Sequence, residues 1–204
     1  IYKQKLNAMP AISKRGQAVP LSPFRKLVPL ADRAKEEGVT IYHLNIGQPD
    51  IETPAYAFQK LKATNLKVLA YSPANGIATY RKQMVQYYHK FGIELGPEQV
   101  VVTTGASEAI QFAMLSCLDH GEEVIVPEPF YANYNGFAQI ADVQLRPITC
   151  HIEDGFALPS VETFEAHITP RTRAICITNP NNPTGCFYPR EVLEELAALV
   201  KKHD

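Results

Sequence analysis

The chain has 204 residues, 46% of them apolar and 20% charged, enough for one domain and part of a second around a proper core. Twenty basic residues against twenty-one acidic ones leave a net charge of −1, without the basic excess that binding nucleic acid or a membrane surface requires. No apolar stretch reaches transmembrane length, and the first residues lack the apolar core of a signal peptide.

In chain order, the first twenty residues read as an irregular arm, with Lys14 and Arg15 as solvated charges. Ser22-Pro23 reads as an N-cap and first helical position, and Phe24, Leu27, Ala31 and Ala34 continue at helical spacing until Gly38 ends the helix. A short strand is predicted from Thr40 to Asn45. Thr53-Pro54 repeats the cap signature and predicts a helix of about three turns. Asn75-Gly76 marks a turn, with a further helix running to Gly92.

From Val100 the rhythm changes. Val100 to Thr103 is an apolar run of the kind that forms a buried parallel strand, and a helical pattern follows through Ile110, Met114 and Leu118. Strands are predicted at Glu123 to Pro127, Val143 to Ile148 and Arg173 to Thr178, with a helix between Tyr131 and Ile140. Pro189 to His203 reads as an amphipathic helix. Strands alternating with helices predict an α/β fold with a mainly parallel sheet covered on both faces. The final helix stops at Asp204 with no following strand, so the chain reads as cut short.

Several catalytic signatures are missing. No two of the eleven glycines stand two apart, which removes the dinucleotide fingerprint; there is no Walker A motif, no His-Glu-x-x-His and no Gly-x-Ser-x-Gly. The six histidines show no ligand spacing. Cys117, Cys150, Cys176 and Cys186 form no Cys-x-x-Cys pair and read as small buried hydrophobes in a reducing compartment, so no metal is expected.

Three segments remain. Gly105-Ala106-Ser107 stands between a strand and a helix start, where free N–H groups and the helix dipole favour an anion such as phosphate. On the motif alone, an ordinary turn capped by Ser107 is the better account. Asn179-Pro180-Asn181-Asn182-Pro183-Thr184-Gly185 follows a predicted strand directly, at the carboxyl end where open α/β sheets bind ligands. Its prolines stiffen the backbone, and its amides can both donate and accept. Pro127 to Tyr131, at another strand end, could hold an aromatic ring against a planar ligand, although packing is the commoner use of such a ring.

Taken in order, these segments resemble the first half of a class I/II aminotransferase of fold type I, the pyridoxal-phosphate family that includes aspartate aminotransferase. Further matches are Ser22 to Leu27, Leu44 to Asp50, Thr53-Pro54 and Tyr71 to Gly76. The resemblance implies an arm and small-domain segment at residues 1–45 and the first part of the cofactor-binding large domain at 46–204. It implies that Gly105, Ala106 and Ser107 hold the cofactor phosphate, and that Tyr131 stacks on the pyridine ring. Asn182 would bond the ring hydroxyl and help hold the substrate carboxylate, which Gly47 meets with bare backbone. Tyr71 would reach the phosphate of a partner subunit, implying a homodimer. Cis peptides are candidates before Pro129 and Pro183.

The family's cofactor-bearing lysine, its aspartate and its carboxylate-binding arginine match nothing here and are expected beyond Asp204. No catalytic residue therefore lies in this chain, which alone would be inactive. Tyr80-Arg81 departs from the leucine-arginine usual in the family. A soluble cytoplasmic transaminase acting on an amino acid and a 2-oxo acid is the first reading. A C–S β-lyase or a non-catalytic binding module on the same fold are the alternatives.

Overall fold

A computed structural model describes residues 11–20, 25–45 and 47–203. Its elements begin with α1 (Lys14–Ala18), α2 (Val28–Glu36), α3 (Ala55–Lys62), α4 (Ala78–His89) and α5 (Ala106–Cys117). They continue with β1 (Glu123–Glu128), α6 (Tyr134–Ala141), β2 (Gln144–Thr149), α7 (Val161–His167), β3 (Thr172–Ile175) and α8 (Arg190–Lys202). Two compact units result: Ile1–Leu27 together with Ala109–Asp204, and Val28–Glu108.

In the first unit three parallel strands lie in the order β2-β1-β3. β1 pairs with β2 from Glu123 opposite Gln144 to Glu128 opposite Thr149, and with β3 from Glu123 opposite Thr172, through a bulge, to Ile125 opposite Ile175. Side chains alternate along a strand, so the central strand feeds two cores. Val124 and Val126 pack with Met114, Leu118, Phe137, Ala138 and Val143. On the other face Ile125 packs with Ile148, Phe164, Leu196 and Leu199. Each buried Val, Leu, Ile, Phe or Met side chain among these is worth about 1.5–3 kcal/mol over its exposed state. The apolar spacing of α6 (Tyr134, Phe137, Ala138, Ala141) and of α8 (Leu196, Leu199) is what turns those faces inward.

The amino end of β1 carries the one buried carboxylate among the described residues, Glu123, only 1% exposed. Arg171 donates to its Oε1 through Nη2 at 2.6 Å and Nε at 2.9 Å, and Thr169 Oγ1 donates to Oε2 at 2.8 Å. Arg146 Nε lies 3.5 Å away. The Thr169 hydroxyl first, then Arg171, hold this carboxyl below the usual glutamate range against the opposing effect of burial.

Several expectations need correction. The arm is not wholly irregular: Ser13 accepts from Gly16 N–H and caps the short helix α1. Arg15 is not merely solvated; its Nη2 donates to Asp142 Oδ2 at 2.8 Å, the same oxygen that His120 Nδ1 meets at 2.8 Å. Asp142 caps α6 in a left-handed conformation at φ +62°. The Ser22-Pro23 cap and Phe24 lie outside the described residues.

No strand forms at Thr40 to Asn45 or at Val100 to Thr103. Apolar, β-branched composition favours extended backbone, but a strand exists only where a neighbour supplies a ladder. Val101 is 61% exposed, and the Val102 N–H goes to the turn carbonyl of Asn75 at 3.2 Å. Helix α3 starts after Pro54 with no side-chain cap bond, so Thr53 is not its cap. Cys150 is buried as expected, whereas Cys117 is exposed and Cys176 and Cys186 are half-buried; all four thiols are free. Helix α7, begun by Ser160, which accepts from Thr163 N–H, had no predicted counterpart.

Candidate functional site

Within Val28–Glu108, the segment Thr103–Ser107 turns sharply into α5. Gly105 has φ +130°, and a Cβ there would meet nothing within 4 Å, so the backbone faces open space. The helix begins at Ala106, so the positive end of its dipole stands at this turn. Thr103 Oγ1 donates to Gly105 O at 2.9 Å, and the Thr104 N–H donates to Glu108 Oε2 at 2.7 Å. Glu108, not singled out from the sequence, thus braces the turn and complements the positive end of the helix. Backbone N–H groups, a serine hydroxyl and a helix N-terminus suit a phosphate, so this part of the chain fits pyridoxal phosphate by the chemistry of its donors. Gly47, with open space at its Cα, and Tyr71, fully exposed, belong to the same unit.

In the other unit the loops leaving β1 and β3 lie side by side, because those strands are parallel neighbours. The peptide bonds Glu128-Pro129, Asn179-Pro180 and Asn182-Pro183 are cis; two of the three were candidates from the sequence. Tyr131 is half-buried, its ring edge-on to Tyr134 at 5.6 Å, and its hydroxyl accepts from Asn133 Nδ2 at 2.6 Å. Tyr134 in turn shares a 2.7 Å hydrogen bond with Thr178 Oγ1 beyond β3. Tyr131 is therefore fixed by packing beneath it, and the stacking and packing roles are not exclusive.

The asparagine loop is built by its amides. Asn179 acts as a strand would: its Nδ2 donates to Tyr188 O at 3.0 Å and its Oδ1 accepts the Tyr188 N–H at 2.9 Å. Asn181 is buried, and its Nδ2 donates to Pro129 O at 3.0 Å and to Thr184 Oγ1 at 2.8 Å. Its N–H donates to Cys186 O and its carbonyl accepts from Gly185 N–H, both at 2.8 Å. Asn182, by contrast, is exposed. Asn181 therefore fastens the Tyr131 loop to the Asn182 loop. Sequence reasoning passed it over, since three asparagines in one loop look alike before the fold turns one inward.

Burial raises the Tyr134 phenol and pushes Tyr188 up to about 12, so both remain neutral near pH 7. Among the described residues no group of three or more His, Cys, Asp or Glu could hold a metal, and no helix is long and apolar enough to cross a membrane.

Residues 39–204 match the family described as aminotransferase class I and II. The chain belongs to that family. It is 34% identical over 202 residues to the aspartate/prephenate aminotransferase of Thermus thermophilus, covering 96% of this chain and 51% of the relative. It is 35% identical over 197 residues to aromatic-amino-acid aminotransferase 2 of Thermococcus litoralis, covering 95% and 49%. The solved aspartate aminotransferase from Rhizobium meliloti superposes with a TM-score of 0.87 at 29% identity, over 95% of this chain and 48% of that one. The chain spans about half the length of the curated relatives it matches.

As a member of this family, the chain has the fold type I architecture of its solved neighbours, here a partial domain whose parallel three-stranded sheet is flanked by helices. The sequence therefore placed the family and fold correctly while misplacing two strands.

Proposed function

We propose that this chain forms part of a pyridoxal-phosphate-dependent aminotransferase that moves an amino group between an amino acid and a 2-oxo acid. The observation that carries the reading is the fastening of two loops, one with Tyr131 and one with Asn182, at the carboxyl ends of neighbouring parallel strands in a chain of this family. Residues 1–45 would supply an arm and a small-domain segment, and 46–204 the first part of the large domain.

Each residue then has a task set by its chemistry. Gly105, Ala106 and Ser107 bind the phosphate through backbone N–H groups and the serine hydroxyl, with open space at Gly105 where a Cβ would stand. Tyr131 holds its ring against the cofactor's planar face, kept there by Tyr134 and Asn133. The exposed Asn182 amide donates to the ring hydroxyl and orients the substrate carboxylate, while Gly47 meets that carboxylate with its backbone. Pyridoxal phosphate, when bound, supplies an electron sink for negative charge at the α-carbon. The lysine that would exchange the α-proton matches no position in this chain.

Full exposure of Tyr71 supports a role across a homodimer, reaching the partner's phosphate. Names of relatives, aspartate among them, favour a dicarboxylic amino acid as donor.

The complete gene product should bind pyridoxal phosphate, seen by its visible absorbance, and exchange amino groups between aspartate and 2-oxoglutarate, followed by mass spectrometry. Release of pyruvate and ammonia without exchange would assign a β-lyase instead. Bound cofactor with neither reaction would leave a binding module.

A further inference from the structure

Arg81, the fourth residue of α4, stands where a cation is disfavoured, near the positive end of the helix dipole. It makes no ion pair among the described residues. Its half-buried guanidinium instead donates to two carbonyls: through Nη1 to Pro97 O at 2.6 Å and through Nε to Gly76 O at 3.3 Å. Those bonds offset the unfavourable placement, and they join two segments distant in sequence.

Gly76 O belongs to the Asn75-Gly76 turn, closed by the Gly76 N–H donating to Pro73 O at 2.9 Å. Pro97 opens a single-turn helix, Pro97–Gln99, steadied by Gln99 Oε1, which accepts the Gly96 N–H at 2.7 Å. A second tie lies five residues on, where the Val102 N–H donates to Asn75 O. Gly76, at φ +95°, lies so close to Val102 that any Cβ would overlap its side chain. The stretch 97–102 is therefore pinned at both ends to one turn, by Arg81 and by Val102. Thr104 and Gly105 follow within three residues.

We infer that Arg81 is a positioning residue for the anion-binding turn Thr104–Ser107. By holding the Gly76 and Pro97 carbonyls it sets the path of residues 98–104, and so the direction in which the N–H groups at the start of α5 point. A planar guanidinium suits the task, since its donors diverge in fixed directions; an ammonium is a single point on a flexible stem. The inference rests on the phosphate role proposed above for this turn.

The test compares pyridoxal phosphate with pyridoxal, which lacks the phosphate, as ligands of the complete gene product. Wild type should bind pyridoxal phosphate the more tightly. Arg81→Met should weaken pyridoxal phosphate binding about tenfold while pyridoxal binding changes less than about twofold, because only the misaligned phosphate contacts are lost. Arg81→Lys, which keeps the charge and one donor, should recover part of the difference, and it carries the test if Arg81→Met does not fold. Equal losses for both ligands, or no loss for either, would overturn the positioning role and leave the phosphate site standing. A wild type that binds both ligands equally would remove the phosphate site, and the inference with it.

Discussion

In residues 109–204 the central strand is buried on both faces, while none of the described residues in 28–108 is buried. The first region has its own two-sided core; the second exposes Phe58, Leu61 and Tyr87 from its helices and Phe91 from the turn after α4. What holds the second region is largely polar and local: the Arg81 bonds, the Val102 to Asn75 bond and the helix bonds themselves. Where a segment lacks buried apolar contacts, its geometry depends on a few directed bonds, each of which matters more. The proposed phosphate turn is in this second region, and the Tyr131 and Asn182 loops are in the first.

The largest effect should come from the core. Phe164→Ala removes a fully buried ring and should cost about 3–5 kcal/mol in denaturant unfolding. Native-state hydrogen exchange should rank the regions the same way, with β1 amides protected far longer than those of α3 and α4. Equal protection would show that 28–108 has a core of its own.

Next comes the charged end of β1. Arg171→Met strips two hydrogen bonds from the buried Glu123 carboxylate and should cost about 1.5–3 kcal/mol, with Thr169 and Arg146 retaining part of the site. Asn181→Ala should cost less, about 1–2 kcal/mol for the lost amide bonds. It should nonetheless lower turnover by more than Asn179→Ala does at equal stability, because only Asn181 joins the two loops.

The mildest effect is one of pH. Glu123, Asp142 and Glu165 are all held below their ordinary pKa values: Glu123 by Thr169 first, Asp142 by His120 first and Glu165 by Lys202 first. Lowered carboxylates stabilise the fold above their unfolded pKa, and that stability is lost as pH falls through the folded value. Acid unfolding of 109–204, followed by circular dichroism, should therefore begin below about pH 4. In Glu123→Gln the onset should become less steep.

Much of this contrast could be read from the sequence, and the two strands that did not form share one cause. Val124-Ile125-Val126 and Val100-Val101-Val102 look alike as apolar runs. The first lies between β2 and β3, whereas in the second the Val100 N–H turns back to the Pro97 carbonyl and the Val102 N–H reaches the turn carbonyl of Asn75, with no strand beside it. Propensity is a property of the segment, while a ladder is a property of its neighbours. Helix α7 was within reach, since Ser160 ahead of Val161 and Phe164 is a cap before an apolar pair. At the site, residue types were legible and directions were not. Asn182 could be picked out through family resemblance, but only the fold shows that Asn181 is the amide turned inward.

Tyr188 offers an optical consequence. The chain has ten tyrosines and no tryptophan, so its near-ultraviolet spectrum is set largely by phenols. With burial pushing its ionisation up to about 12, Tyr188 should lag in an alkaline titration and give a late step in tyrosinate absorbance. A raised folded pKa means that the associated stability is intact below the ordinary tyrosine value, near 10, and drains away as pH climbs toward 12. Because the Tyr188 backbone is clasped by Asn179, that late step is an intrinsic dye for the asparagine loop: an early, merged titration would announce that the loop has come undone.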